Sequence, residues 1–317
     1  MVRIAIIGAN GFVGRSISED LAGRGHRITA IIRDHRVQKL PFIESILYMS
    51  SADANQNWKM LLDGIDVVLH LASPKAANKP SQKQKQEYYK TIVDGTLSIA
   101  RAAVETSVQR MIFISSIKVN GEITNGPAFD INSTPIPQTC YGECKLTAEI
   151  GLSKISETQH LAITVIRPPI IYGPGNFGNI YSMIKFLHWF PGHTLPIGGI
   201  KNNRSLLFIG NLTSAIVRCV EDSSGKTHLF LLRDRAMIST TSLCSMILSI
   251  LNKDINLTKR FTATIRLVLA FCMPRLSEKL FESLEIDDNT IFNTLGWNPP
   301  FSTKEGLTKT ISHLKNK

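Results

Sequence analysis

Val2-Arg-Ile-Ala-Ile-Ile-Gly8-Ala-Asn10-Gly11-Phe12-Val13-Gly14 runs from a short apolar segment through three glycines spaced three apart into an amphipathic stretch that reaches about Leu21. It reads as a buried strand, a tight turn and the first turn of a helix. Such a turn lets the backbone approach a pyrophosphate that a Cβ would obstruct, and the helix N-terminus offers N–H groups to its charge. A glycine triplet alone is weak evidence. Placed between a strand and a helix at the head of the chain, it specifies a dinucleotide-binding turn.

Working outward, the alternation continues. Apolar runs at Arg27–Ile32, Ile46–Met49, Val67–Leu71, Met111–Ser115 and Leu161–Ile166 read as strands, with helical patterns over Asn57–Leu62 and Gln86–Glu105. Strands alternating with helices imply right-handed crossovers, hence an α/β fold with a Rossmann-type doubly wound parallel sheet over residues 1–167. After Arg167, Pro and Gly gather in PPIIYGPGNFGN and FPGHTLPIGG and the alternation becomes irregular. A doubly wound sheet binds ligands at the carboxyl ends of its strands. Residues 168–317 are therefore expected to form a smaller, mainly substrate-binding C-terminal lobe with segments returning to the first domain.

At 317 residues, 43% hydrophobic and 19% charged, the chain is neither disordered nor a disulfide mini-protein. No apolar run approaches the roughly 20 residues of a membrane span. The nearest, Thr264–Met273, is too short and is interrupted by Arg266. The N-terminus carries no signal-peptide pattern, so a cytoplasmic protein without stable membrane insertion is expected. The five cysteines show no metal-ligand spacing and the eight histidines are scattered, so neither disulfides nor a metal site is expected. Thirty-six Lys and Arg against 25 Asp and Glu leave a net charge of +11, which favours anionic ligands. The densest basic run, Lys75, Lys79, Lys83, Lys85 and Lys90, matches no nucleic-acid motif; it reads as a solvated helix face, and no nucleic-acid partner is expected.

Two further positions carry chemistry. The second strand ends in Arg33, followed by Asp34; a guanidinium there suits a phosphate and has no use for a bare 2′-hydroxyl. Tyr141-Gly-Glu-Cys-Lys145 places a phenol and an ammonium one helical turn apart on one face. A phenol near pKa 10 needs such a cation to act as an acid–base group at neutral pH. Ser115-Ser116, at the end of the fifth strand, supplies a donor for a substrate oxygen.

The GxxGxxG turn, the strand ending in Ser-Ser and Tyr-x-x-x-Lys, in that order, resemble the extended short-chain dehydrogenase/reductases of the NAD(P)-dependent epimerase/dehydratase family, over essentially the whole chain. The resemblance implies that Tyr141 is the acid/base, that Lys145 holds the nicotinamide ribose and lowers the Tyr pKa, and that Ser116, rather than Ser115, is the catalytic serine. It places Leu71, Ala72 and Ser73 along the coenzyme, Lys75 near its phosphates, and Pro168 and Pro169 beside the nicotinamide. With Arg33 at the position where NADP-dependent relatives carry an Arg, NADP(H) is expected ahead of NAD(H).

The segment around Asn203-Arg204 resembles the part of the family that grips a nucleotide-sugar diphosphate, which implies Arg204 as the main substrate clamp, with Asn179, Lys118 and Ser116 beside it. Sugar-nucleotide dehydratases carry an Asp-Glu pair where this chain has Ile117 and Lys118, so elimination of water is set aside. The likeness is greatest to bacterial UDP-hexose and UDP-N-acetylhexosamine 4-epimerase-like proteins, a subgroup that includes reductases of UDP-4-keto-6-deoxy sugars for surface-polysaccharide synthesis. Ile92 and Asn120 depart from typical galactose epimerases. Arg33 tips the expectation to a 4-keto reductase, with a 4-epimerase holding its NAD tightly as the alternative. A non-catalytic coenzyme sensor on this fold would have no use for the retained Tyr141 and Lys145. The resemblance also implies a homodimer through the helices of Gln86–Glu105 and Tyr141–Ile155.

Overall fold

The computed structural model describes residues 1–77 and 79–315. Strands β1 (Arg3–Ile7), β2 (Arg27–Ile32), β3 (Ser45–Tyr48), β4 (Val67–His70), β5 (Arg110–Ile114) and β6 (Ala162–Arg167) build the first part of the chain. They are followed by β7 (Ile170–Tyr172), β8 (Thr194–Leu195), β9 (Leu206–Phe208), β10 (His228–Leu231) and β11 (Asn256–Leu257). The helices are α1 (Phe12–Gly23), α2 (Trp58–Leu61), α3 (Gln82–Tyr88), α4 (Gly95–Glu105), α5 (Cys140–Thr158), α6 (Asn179–Trp189), α7 (Ile209–Val220), α8 (Thr240–Leu251), α9 (Thr262–Cys272), α10 (Pro274–Phe281), α11 (Thr290–Leu295) and α12 (Thr303–Lys315).

One seven-stranded sheet runs in the order β3-β2-β1-β4-β5-β6-β10, and its strand pairs are parallel. Successive side chains of a strand point to opposite faces, so a sheet covered on both sides needs continuous apolar strands. Ile4 and Ile6 accordingly enter one core with α1 and α7, while Ala5 and Ile7 enter the other with α3, α4 and α5. The strand order reverses between β1 and β4, which opens a crevice at their carboxyl ends. The residues that follow those strands, Gly8 and Leu71, meet there.

The second half contributes more to the sheet than its loops suggest: β10 is the seventh strand and α7 packs on α1. Asp222, which follows α7, ties this return to the sheet, 2.8 Å from Arg110 of β5 and 3.0 Å from His228 of β10. The rest forms a separate layer in which β7 pairs with β9, β8 with β11, and α6 packs on α8. Its segment 179–189 is a helix, with His188 in the last turn of α6.

The basic run is not one solvated helix face. Lys83 and Lys85 lie exposed on α3, but Lys75 and Lys79 precede it, and Lys90, in the π-helical segment Tyr89–Asp94, ion-pairs with buried Asp53 at 2.9 Å. Among the described residues no helix is long and apolar enough to cross a membrane.

Candidate active site

The glycine turn closes against the β4 loop. Gly8 has φ +93°, a left-handed conformation that favours glycine, and a Cβ on it would stand 3.0 Å from the Ala72 nitrogen. A Cβ on Gly14 would sit 2.6 Å from backbone atoms of Gly8 and Ala9, so α1 can start only this close to β1 without one. Gly11 caps α1 with no side-chain hydrogen bond, and the first turn, with Phe12 and Val13 half-buried, holds no acidic residue. Its N–H groups are thus left for an external anion. The Asn10 carbonyl is held by Arg15 Nε at 3.0 Å, which steadies the turn. This cradle fits the pyrophosphate of a dinucleotide.

At the end of β2, Arg33 is exposed and free of ion pairs among the described residues, whereas Asp34 is committed. Arg36 grips the Asp34 carboxylate at 2.8 and 2.9 Å and holds its pKa down to about 2. On the other side of the crevice, Leu71 donates to the Ile7 carbonyl at 3.0 Å, with Ala72 and Ser73 following. The loop beyond is pinned by Tyr88, whose hydroxyl donates to the Lys75 carbonyl at 2.9 Å and accepts from the Ala77 N–H at 2.7 Å. The Lys75 side chain is exposed.

Tyr141 and Lys145 leave α5 toward this crevice. Thr139 caps the helix, accepting from Gly142, and a Cβ on Gly142 would come within 2.6 Å of the Lys118 carbonyl. The start of α5 is thereby pressed onto the 3-10 turn Ile117–Val119, whose cap is half-buried Ser116, accepting from the Lys118 N–H at 3.3 Å. Pro168 and Pro169 are buried behind it, and the Pro168 carbonyl accepts from the Ile117 N–H at 2.9 Å. The Tyr141 hydroxyl lies 3.4 Å from Ser73 Oγ, and its ring meets Tyr88 edge-on with centroids 5.9 Å apart. Burial raises its pKa above the ordinary value. Lys145 is 1% exposed, its Nζ 4.4 Å over the Phe113 ring and 5.8 Å from the Tyr141 ring centroid. It donates to the Ile114 carbonyl at 2.8 Å, and burial pushes its pKa down to about 7 against the pull of Glu149.

Behind these groups lies a buried network that the sequence reading missed. Glu149 accepts from Ser115 and, at 2.5 to 3.1 Å, from the guanidinium of Arg167, which also donates to Asn120 Oδ1 at 3.0 Å. Ser115 is thus committed to structure, which leaves Ser116 as the serine at the crevice. Asn120 Nδ2 is buried with no hydrogen-bond partner among the described residues. His70 is buried as well; its Nε2 lies 3.0 Å from Thr96 Oγ1, and desolvation lowers its pKa to about 3.

The remaining candidates part company. Lys118 is taken by Glu122, at 2.6 and 2.8 Å. Arg204 and Asn179 instead line a cavity of about 770 Å³ between α6, α8, α9 and α10. Arg204 is 8% exposed and donates to the Glu282 carbonyl at 2.9 Å, and its burial lowers its pKa. Lys79 and Ile170 line the same cavity, from the loop after Ser73 and the strand after Pro169, so it opens beside the crevice. Lys79 stood in the basic run, but no sequence signal distinguished it from its neighbours.

The model of the NAD dependent epimerase/dehydratase family matches residues 4–230. The chain is 30% identical, over 97% of its length and 94% of the relative, to UDP-glucose 4-epimerase of Vibrio cholerae. It is 25% identical, over 98% of its length and 94% of the relative, to N-acetyl-alpha-D-glucosaminyl-diphospho-ditrans,octacis-undecaprenol 4-epimerase of Escherichia coli O157:H7. Among solved structures, UDP-glucuronic acid 4-epimerase from Bacillus cereus in complex with NAD shares the fold, with a TM-score of 0.77 and 20% identity over 99% of both chains. With the glycine cradle, the Ser-Tyr-Lys crevice and a family match that covers well over half its length, the chain belongs to the NAD dependent epimerase/dehydratase family.

Proposed function

We propose that the protein works at C4 of a diphosphate-linked hexose or N-acetylhexosamine, and that it is a 4-epimerase. The observation that carries this reading is Tyr141, its hydroxyl 3.4 Å from Ser73 Oγ and its ring edge-on to Tyr88, with Lys145 one turn behind it, beside the dinucleotide cradle. Tyr141 Oη takes the proton of the C4 hydroxyl and later returns it. Its raised pKa works against the phenolate, so the charge of Lys145 has to hold the deprotonated form. Ser116 donates to the C4 oxygen and fixes its distance from the phenol. Lys145, already on the Ile114 carbonyl, directs its other N–H groups at ribose hydroxyls.

The N–H groups from Gly11 to Gly14 hold the pyrophosphate, with Leu71, Ala72, Ser73 and Lys75 along the other side and Pro168 and Pro169 as the back wall. A bound nicotinamide supplies the hydride acceptor and donor for C4. Arg204, with Asn179, grips the diphosphate of the substrate; Lys118, held by Glu122, is left out of that grip.

The sequence reading puts a 4-keto reductase first. The relatives weigh the other way, since the two named above are 4-epimerases. They also give no support to NADP over NAD. The reductase stays as the second reading on one observation: Arg33 is exposed with no ion pair among the described residues, while Arg36 removes Asp34 from the ribose. Uridine is the carrier of the diphosphate in the sequence reading, as in the Vibrio relative; undecaprenol occupies that place in the Escherichia one. A homodimer through α3–α4 and α5 is part of the proposal, and exposed Tyr89 and Ile150 on those segments support it.

The test is to identify the dinucleotide released from freshly purified wild-type protein and from Tyr141→Phe, and to follow C4 turnover of both. One NAD per chain in both, with turnover lowered about 100-fold or more in the variant, is expected. An empty protein that takes up NADPH more tightly than NADH turns the assignment to the reductase. Turnover surviving within a few-fold in Tyr141→Phe removes Tyr141 from its role.

A further inference from the structure

Helix α9 is apolar on the side where a surface helix is ordinarily polar. Ile265 and Leu269 line the cavity, yet Leu267, Val268 and Phe271, at 72, 55 and 91% exposed, point away from it. Met273, Leu276 and, from α6, Phe186 line the cavity and are also exposed, at 53, 38 and 55%, so the cavity opens through an apolar mouth. Trp189, 73% exposed, lies one turn beyond Phe186. Arg275 and Lys279 line the cavity and are exposed, and exposed Lys259 and Arg260 precede α9; against these cations Arg266 is ion-paired with Glu282 at 2.8 Å and Glu278 is an exposed acid of α10. Apolar side chains fringed by Lys and Arg are the pattern of a segment that lies in the interface of an anionic bilayer. It does not require a spanning helix.

The interior fits the same surroundings. Its walls are mainly aliphatic, from Ile180, Met183, Leu187, Leu243, Leu269 and Leu280; of its uncharged polar side chains Ser182 and Thr240 already donate to backbone carbonyls, which leaves Asn179, and its cations, Lys79, Arg204, Arg275 and Lys279, suit a diphosphate. A uridine would bring an imide, two carbonyls and ribose hydroxyls into those walls, at about 1–3 kcal/mol for each group left unpaired. A hydrocarbon chain leaves none unpaired.

We propose that the sugar diphosphate is carried on a long-chain lipid whose hydrocarbon enters between α6 and α9–α10, and that α9–α10 rests on the bilayer supplying it. This rests on the C4 reading above and changes only the carrier. The net charge of +11 favours the same surface.

The full chain is to be sedimented with vesicles of phosphatidylethanolamine and phosphatidylglycerol, with tryptophan emission recorded. Trp58 and Trp297 are 2 and 5% exposed, so a change on binding reports Trp189. The vesicles then carry N-acetylglucosaminyl-diphospho-undecaprenol, and C4 turnover is compared with that of UDP-N-acetylglucosamine. Co-sedimentation, a blue shift that Trp189→Phe abolishes, a bound fraction about tenfold lower in Leu267→Glu/Phe271→Glu, and turnover about tenfold or more faster on the lipid-linked sugar are expected. Protein that stays in the supernatant, or that turns over the UDP-sugar at least as fast, overturns the lipid assignment and leaves C4 chemistry standing. Vesicle binding with no C4 product from either donor overturns the C4 reading and the lipid substrate with it.

Discussion

Lys145 is a cation enclosed by Phe113, Tyr141 and the Ile114 carbonyl, and its enclosure makes a prediction independent of turnover. Its folded-state pKa of about 7 lies below the ordinary 10.5, so between those values the unfolded chain holds the extra proton and stability rises with pH. Lys145→Met removes that slope. In urea unfolding the variant should gain on wild type at pH 7 and below, and lose that advantage as pH approaches 10. A difference that stays flat across this range would mean that the ammonium is not desolvated. The Tyr141–Lys145 pair was legible because a spacing of four is a local property. The partner of Lys145 in charge, Glu149, was not: it lies one turn further on, and nothing in the sequence tells a carboxylate facing Arg167 from one facing water.

The turn between β1 and α1 carries the element-scale prediction. Gly14→Ala would press a methyl to 2.6 Å from the backbone of Gly8 and Ala9, which cannot give way without tilting α1. A loss of about 1–3 kcal/mol in unfolding free energy is expected, with bound dinucleotide lost as well. Full retention of both would show that α1 shifts freely. Strands β1 to β6 of the main sheet were legible to within about a residue because parallel strands buried on both faces are continuous apolar runs. The second lobe was not. Its strands are two or three residues long, and α9 is apolar on most of its circumference, with Arg266 as its one charged residue, so no period announces which side it buries.

For the molecule as a whole, the proposed dimer would join through the packed helices α4 and α5. If two chains join there, Tyr89→Glu with Ile150→Glu should halve the mass seen by light scattering while leaving the fold intact. An unchanged dimer mass would move the contact elsewhere. Doubly wound topology was legible from strand–helix alternation, whereas the return of β10 to the sheet depended on contacts more than 60 residues apart, at His228–Thr164. The Glu149–Arg167–Ser115 network has a consequence for how such a molecule can change. It fastens α5 to β5 and β6, so under the proposed function Tyr141 is a fixed point to which a sugar would be carried. If Arg204 grips the diphosphate as proposed, what reaches that point is decided by the span from Arg204, a residue of the other layer. A new sugar or a new carrier can therefore arise by altering α6, α9 and α10 alone, and descendants that differ in diet should keep the same anvil.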